Sequence, residues 1–123
     1  TSGSMEGLDA FNQQAFGVLT SSKLIEALDL GREDKRIVER YGKGDPKTHG
    51  DAAPMLTEQF LTARRLVEAG ARFVTVAFGF WDYHGKNFDN ARNDLPLLDR
   101  GVTALVQDLH ERGRQGCLGD CLG

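Results

Sequence analysis

The sequence predicts a mostly α fold with one short strand, an α+β chain in which the β part is minimal. Two observations carry this. Apolar residues recur at helical spacing along several segments, and a single run, Phe73, Val74, Val76 and Phe78, is rich enough in β-branched and aromatic residues to make one buried strand over 73–78.

Residues 6–20 place Leu8, Phe11, Ala15 and Leu19 at helical spacing, which predicts an amphipathic helix. Ser21 or Ser22 is a candidate cap for a second, short helix with Leu24, Ile25 and Leu28 on one side. After Gly31, residues Glu33 to Tyr41 predict a third, with Ile37, Val38 and Tyr41 apolar and Gly42 at its end. Residues 42–53 are a loop by composition, holding three glycines, Asp45-Pro46, His49 and Asp51. A loop of that length is either functional or a plain surface crossing. Pro54 suits a first helical turn, and Leu56, Phe60, Ala63 and Val67 continue the period to Gly70, with Arg64 and Arg65 expected to point outward. The strand follows, broken by Gly79. Asn87 or Asp89 then starts a helix that Pro96 either kinks or restarts, capped by Asn93 or Asp94. Leu98, Val102, Leu105 and Leu109 form its apolar stripe as far as Gly113.

The chain has the size of one domain or a fragment of one, with a modest core that a partner would help. Its net charge of -3 supplies no basic field for nucleic acid and no polybasic membrane patch. No apolar run approaches the roughly 20 residues needed to span a bilayer, and no signal peptide is visible, so a soluble chain is expected. Thr1-Ser2-Gly3-Ser4 before Met5 reads as an expression-tag remnant, leaving 5–114 as a single helical domain and 115–123 as a flexible tail. Cys117 and Cys121 lie in that tail at C-x-x-x-C spacing, which fits an unstructured terminus or, alternatively, a metal or redox pair.

The chemistry is concentrated after the strand. Asp82 and His84 stand two residues apart where open α/β folds place their reactive groups, at the carboxyl end of a strand. A hard carboxylate with a borderline imidazole suits zinc or manganese. The plain alternative is a histidine bonded to a backbone carbonyl and an aspartate capping the next turn.

Leu8-Asp9-Ala10-Phe11, Leu19-Thr20-Ser21, Arg40-Tyr41-Gly42, Ala63 through Gly70, Phe73-Val74-Thr75-Val76, Trp81-Asp82-Tyr83-His84-Gly85, Asn87-Phe88 and Asp108 through Gly113 resemble consecutive blocks of one bacterial family. It is the sulfatase-like group known as domain of unknown function 1501, placed in the alkaline phosphatase superfamily. The resemblance covers about residues 6–114. It implies a helical fragment of an alkaline-phosphatase-like α/β domain, with metal ions at the strand ends.

The tail departs from the family. Codons compatible with Gln115 to Gly123, read one base later, encode Arg-Asp-Val-Ser-Val-Thr-Val-Trp-Gly, the family's next strand. The expectation is a frameshifted, truncated member, testable on the gene sequence. A strand cut off from its neighbours has two bare edges, so antiparallel pairing across a homodimer is expected.

The resemblance implies a small metal-dependent hydrolase of phosphate esters, phosphotriester or phosphodiester, promiscuous towards sulfate esters and using a metal-activated water. Asp82 and His84 are the expected catalytic and metal-binding residues. His49 is the first candidate third ligand, followed by Asp89, Asp51, His110 or a residue of a second subunit. Trp81, Tyr83 and Lys86 are the expected substrate contacts; Arg92 is a further candidate for phosphoryl charge, and Phe78 and Phe80 for an apolar wall. The expected cofactor is Zn, with Mn as the alternative. The expected partners are a second copy and a small-molecule ester, with neither nucleic acid nor membrane. The competing reading is a catalytically silent fragment that folds as a dimeric module.

Overall fold

The computed structural model describes residues 2–19 and 21–113. The expected tail over 115–123, with Cys117 and Cys121, lies outside the described residues. Five α-helices follow one another: α1 (Ser2–Leu19), α2 (Ser22–Ala27), α3 (Lys35–Tyr41), α4 (Glu58–Glu68) and α5 (Asn87–Glu111), with a 3-10 turn at Leu30–Arg32. The mostly α expectation holds. No sheet forms among the described residues, whose one β-type pairing is the isolated antiparallel bridge between Asp45 and Met55.

Local chemistry explains most boundaries. The Asp34 carboxylate accepts from the Arg36 N–H at 2.9 Å and starts α3; Gly42, at φ 72°, ends it. The Arg100 guanidinium lies over Gly42 and donates to the carbonyls of Glu39 (2.8 Å) and Arg40 (3.3 Å). A cation thus closes the negative end of α3. Arg65 does the same for α2, donating to the carbonyls of Ala27 (2.9 Å) and Glu26 (3.0 Å). Helix α5 runs unbroken through Pro96, so of the two alternatives there the restart at Asn93 or Asp94 does not occur. Helix α4 begins at Glu58 rather than at Pro54, because Met55 is held in the bridge with Asp45.

Helices α2, α3 and α5 pack on α4, and α3 also packs on α5. Tyr41, Leu61 and Ala104 are the fully buried centre, with Leu30, Ile37, Val38, Phe60 and Leu105 around it. Burying a side chain of that size contributes on the order of 2 kcal/mol. The closest approach of α4 to α5 is at Gly101, where a Cβ would come within 2.5 Å of the Phe60 ring. Helix α1 takes no part in these principal helix pairs. Its Leu8 and Phe11, expected on a buried face, are 59% and 70% exposed. It also takes in Ser2, Gly3 and Ser4, which the sequence marks as a tag.

Two further expectations are corrected. Residues 73–78 are not a strand in the single chain: no ladder forms, although Val74, Val76 and Phe78 are half-buried and Phe73, Thr75 and Ala77 exposed. The segment has the alternation of a strand without a neighbour to bond, since the chain holds no second run of its kind. Nor does Arg64 point outward. It is 3% exposed, because carboxylates from three other places in the chain converge on it.

Candidate functional site

Two groups of ionisable side chains are built by this fold, one buried and one open. The buried group is centred on Arg64 of α4. Its Nε donates to Asp108 Oδ2 of α5, its Nη1 to Glu68 and its Nη2 to Glu33, each at 2.8 Å. Tyr41 of α3 donates its hydroxyl to the same Asp108 oxygen at 2.8 Å. Arg112 donates to the other Asp108 oxygen at 2.9 Å and to Glu68 at 3.1 Å; Arg65 donates to Glu33 at 2.8 Å. Three arginines therefore meet three carboxylates, and the local charge cancels.

The electrostatics follow from that wiring. Burial pushes the Asp108 carboxyl up, but hydrogen bonds from Tyr41 and Arg112 and the charge of Arg64 prevail and hold it below its ordinary value. Glu33 is likewise lowered: burial opposes ionisation, and the bonds from Arg65 and the Asp34 N–H with the charge of Arg64 outweigh it. The Tyr41 phenol is raised by burial and by donating to Asp108. Asp108 and Glu33 stay ionised and Tyr41 stays protonated, an arrangement suited to holding three elements together rather than moving protons.

The open group follows the extended segment. Phe60, Phe78, Trp81 and Tyr83 form a chain of rings, with successive centroids 5.3, 6.4 and 6.4 Å apart. Trp81 donates its indole N–H to the Phe78 carbonyl at 2.7 Å. Tyr83 donates to Asp94 of α5, and burial together with that bond pushes its phenol up to about 12. The Asn90 amide donates to the Gly85 carbonyl at 3.1 Å. Lys86 enters α5 in the left-handed region, φ 50°, and is exposed.

Between these anchors, His84 Nε2 lies 3.2 Å from Asp82 Oδ2, with the two side chains 80% and 81% exposed. Two donors each about 2.0–2.1 Å from a tetrahedral zinc stand roughly 3.3 Å apart, so the pair fits one ion in donor type and in spacing. The same distance also suits a hydrogen bond from the ring N–H to the carboxylate. Asp82 does not cap α5, which starts without a side-chain cap. No third histidine, cysteine or acid joins the pair among the described residues, so His49, Asp51, Asp89 and His110 are not brought to it within one chain. Trp81 is 42% exposed beside the pair.

The buried group was missed by reading apolar residues alone. The signal was present in the spacing: Leu61, Arg64 and Glu68 share one face of α4, and Gly101, Ala104 and Asp108 one face of α5. Among the described residues no helix is long and apolar enough to cross a membrane.

Comparison with known proteins returned no match among curated proteins and none among solved structures. A family model does match, over residues 2–116, which is nearly the whole chain. The chain belongs to the family described as protein of unknown function (DUF1501).

Proposed function

We propose that the chain is a small metal-dependent hydrolase of phosphate esters, phosphotriester or phosphodiester, of the alkaline phosphatase superfamily, with sulfate esters as side substrates. The observation that supports this most is the Asp82–His84 pair, 3.2 Å apart, open to solvent and steadied from both sides by Trp81, Tyr83 and Asn90. Asp82 and His84 would hold a divalent ion, zinc or manganese. Such an ion supplies Lewis acidity and a water of lowered pKa. The chain's own residues then have distinct tasks. Lys86, exposed at the head of α5, offsets negative charge on a phosphoryl oxygen. The open face of Trp81 receives an aryl leaving group. Tyr83 has its proton committed to Asp94 and a phenol near 12, so it positions the loop and does not act as a general acid.

Two donors are fewer than the three protein ligands usual for catalytic zinc. We therefore place the remaining ligand on a second copy of the chain. The test is elemental analysis of the purified protein alongside a panel of nitrophenyl mono-, di- and triesters of phosphate and nitrophenyl sulfate. The expected result is near-stoichiometric zinc or manganese and an activity abolished by chelator, restored by metal, and absent from Asp82→Ala and His84→Ala. Protein free of metal and inert on the whole panel after metal addition would overturn the proposal.

A second reading, a catalytically silent dimeric module, is favoured by one observation. Leu8, Phe11, Phe73 and Phe88 are all more than half exposed, more than binding a small ester requires. Activity lost from the two alanine variants while dimer mass persists separates the readings.

A further inference from the structure

Helix α5 carries a second apolar stripe besides the one that packs on α3 and α4. Phe88, Leu95 and Val102 recur every seventh residue, whereas Leu105, at an intervening position, packs on the core. A seven-residue apolar spacing of this kind is one register of the seam by which a helix meets a partner. The first set is left open: Phe88 is 81% exposed, Leu95 50%, Val102 37% and the adjoining Val106 39%. The N-terminal part forms a shallow groove of about 620 Å³ lined by Phe88, Ala91, Arg92, Leu95, Pro96 and Asp99.

Helix α1 has the matching shape. Leu8, Phe11 and Ala15 are spaced three and four residues apart, the same seam in shorter form. Its 18 residues span roughly 27 Å, and the stripe from Phe88 to Val106 spans roughly 27 Å as well.

We infer that the open stripe of α5 receives helix α1 of a second copy, the two chains exchanging their first helices about a two-fold axis. Reciprocal exchange is an isologous contact, closed at two chains. The surface area asks for such a partner. The chain exposes 9005 Å², whereas a folded monomer of its mass exposes roughly 6,500 Å². Leaving a dozen undescribed residues out of both figures, roughly 1,900 Å² of free-chain area from the first and roughly 500 Å² from the second, gives an excess on the order of 1,000 Å² per chain. Two chains at that figure reach the roughly 2,000 Å² at which obligate homodimer interfaces begin. The exchange stands whether or not Asp82 and His84 hold an ion, and it needs no pairing of residues 73–78.

The test is light scattering of the full chain at 50 µM (about the range in which such dimers are populated) for the parent, Phe11→Asp and Leu95→Asp, with circular dichroism as the check on folding. Both substituted positions are exposed, so helicity should be kept while dimerisation weakens on the order of 30-fold. In a second arm, with Cys117→Ser and Cys121→Ser as background, a Phe11→Cys chain is mixed with a Leu95→Cys chain and oxidised. The two positions lie mid-helix and mid-stripe, level in either orientation. A disulfide-linked heterodimer is the expected product. A monomeric parent, a dimer indifferent to both aspartates, or a Phe11→Cys/Leu95→Cys double variant that links only within one chain would each overturn the exchange.

Discussion

The buried centre around Arg64 and the open loop around Asp82 and His84 use the same kinds of atoms for opposite ends. In the first, guanidinium and carboxylate meet at 2.8 Å with 2% and 1% of their side chains exposed. In the second, imidazole and carboxylate meet at 3.2 Å with about four-fifths of each in water. Charges buried that deeply are already satisfied by each other and are unavailable to a substrate. Charges that open have lost little solvation and are free to take an ion or an anionic ester. Residue type alone does not separate the two; the number of partners that the fold delivers does.

The largest expected effect comes from breaking the buried centre. Asp108→Ala leaves Arg64 buried short of one counter-charge, which costs about 3–5 kcal/mol. For a domain with so small a core that is most of its stability, and urea titration followed by circular dichroism should find the chain unfolded or nearly so.

Acid probes the same place without a mutation. Asp108 and Glu33 are held below their ordinary carboxyl values, so the stability they contribute is fully present above the unfolded value of about 4 and is lost as pH falls through the lowered folded values. The melting temperature should be nearly flat from pH 7 to about 5 and fall steeply below about 4. A steady decline beginning at pH 6 would contradict this wiring.

Tyr41→Phe sharpens the comparison, since it removes one donor to Asp108 and leaves the arginines in place. Its cost should be about 1.5 kcal/mol in the same titration, the value of one hydrogen bond to a charged group. At the small end, Asp82→Ala and His84→Ala should each change stability by less than about 0.5 kcal/mol, because both side chains are exposed. Their effect should appear in metal content and turnover alone.

What the sequence revealed differs between the same two regions. Gly42 marked the end of α3, and the stripe through Leu98, Leu105 and Leu109 marked α5, because capping and helical period are local properties. The 73–78 run was legible as extended chain through its alternation, but pairing depends on a neighbour and no local pattern supplies one. Arg64 was misjudged for a related reason. An arginine beside another arginine reads as solvated surface until Asp108, 44 residues away, and Glu33, 31 residues away, are folded onto it. Asp82 and His84 were legible as a neighbouring carboxylate and imidazole, while which other groups stand near them is a matter of tertiary arrangement.

The notch at Gly101 reaches further than its own contact. Phe60 fills it, Phe78 leans on Phe60, Trp81 lies against Phe78, and Tyr83 follows Trp81 before the chain arrives at His84. A methyl group at position 101 would push the first ring of that series, and each later ring would have to re-seat. A glycine on the far helix thereby sets the seat of the loop that carries Asp82 and His84, and an alanine scan confined to the loop would pass over it.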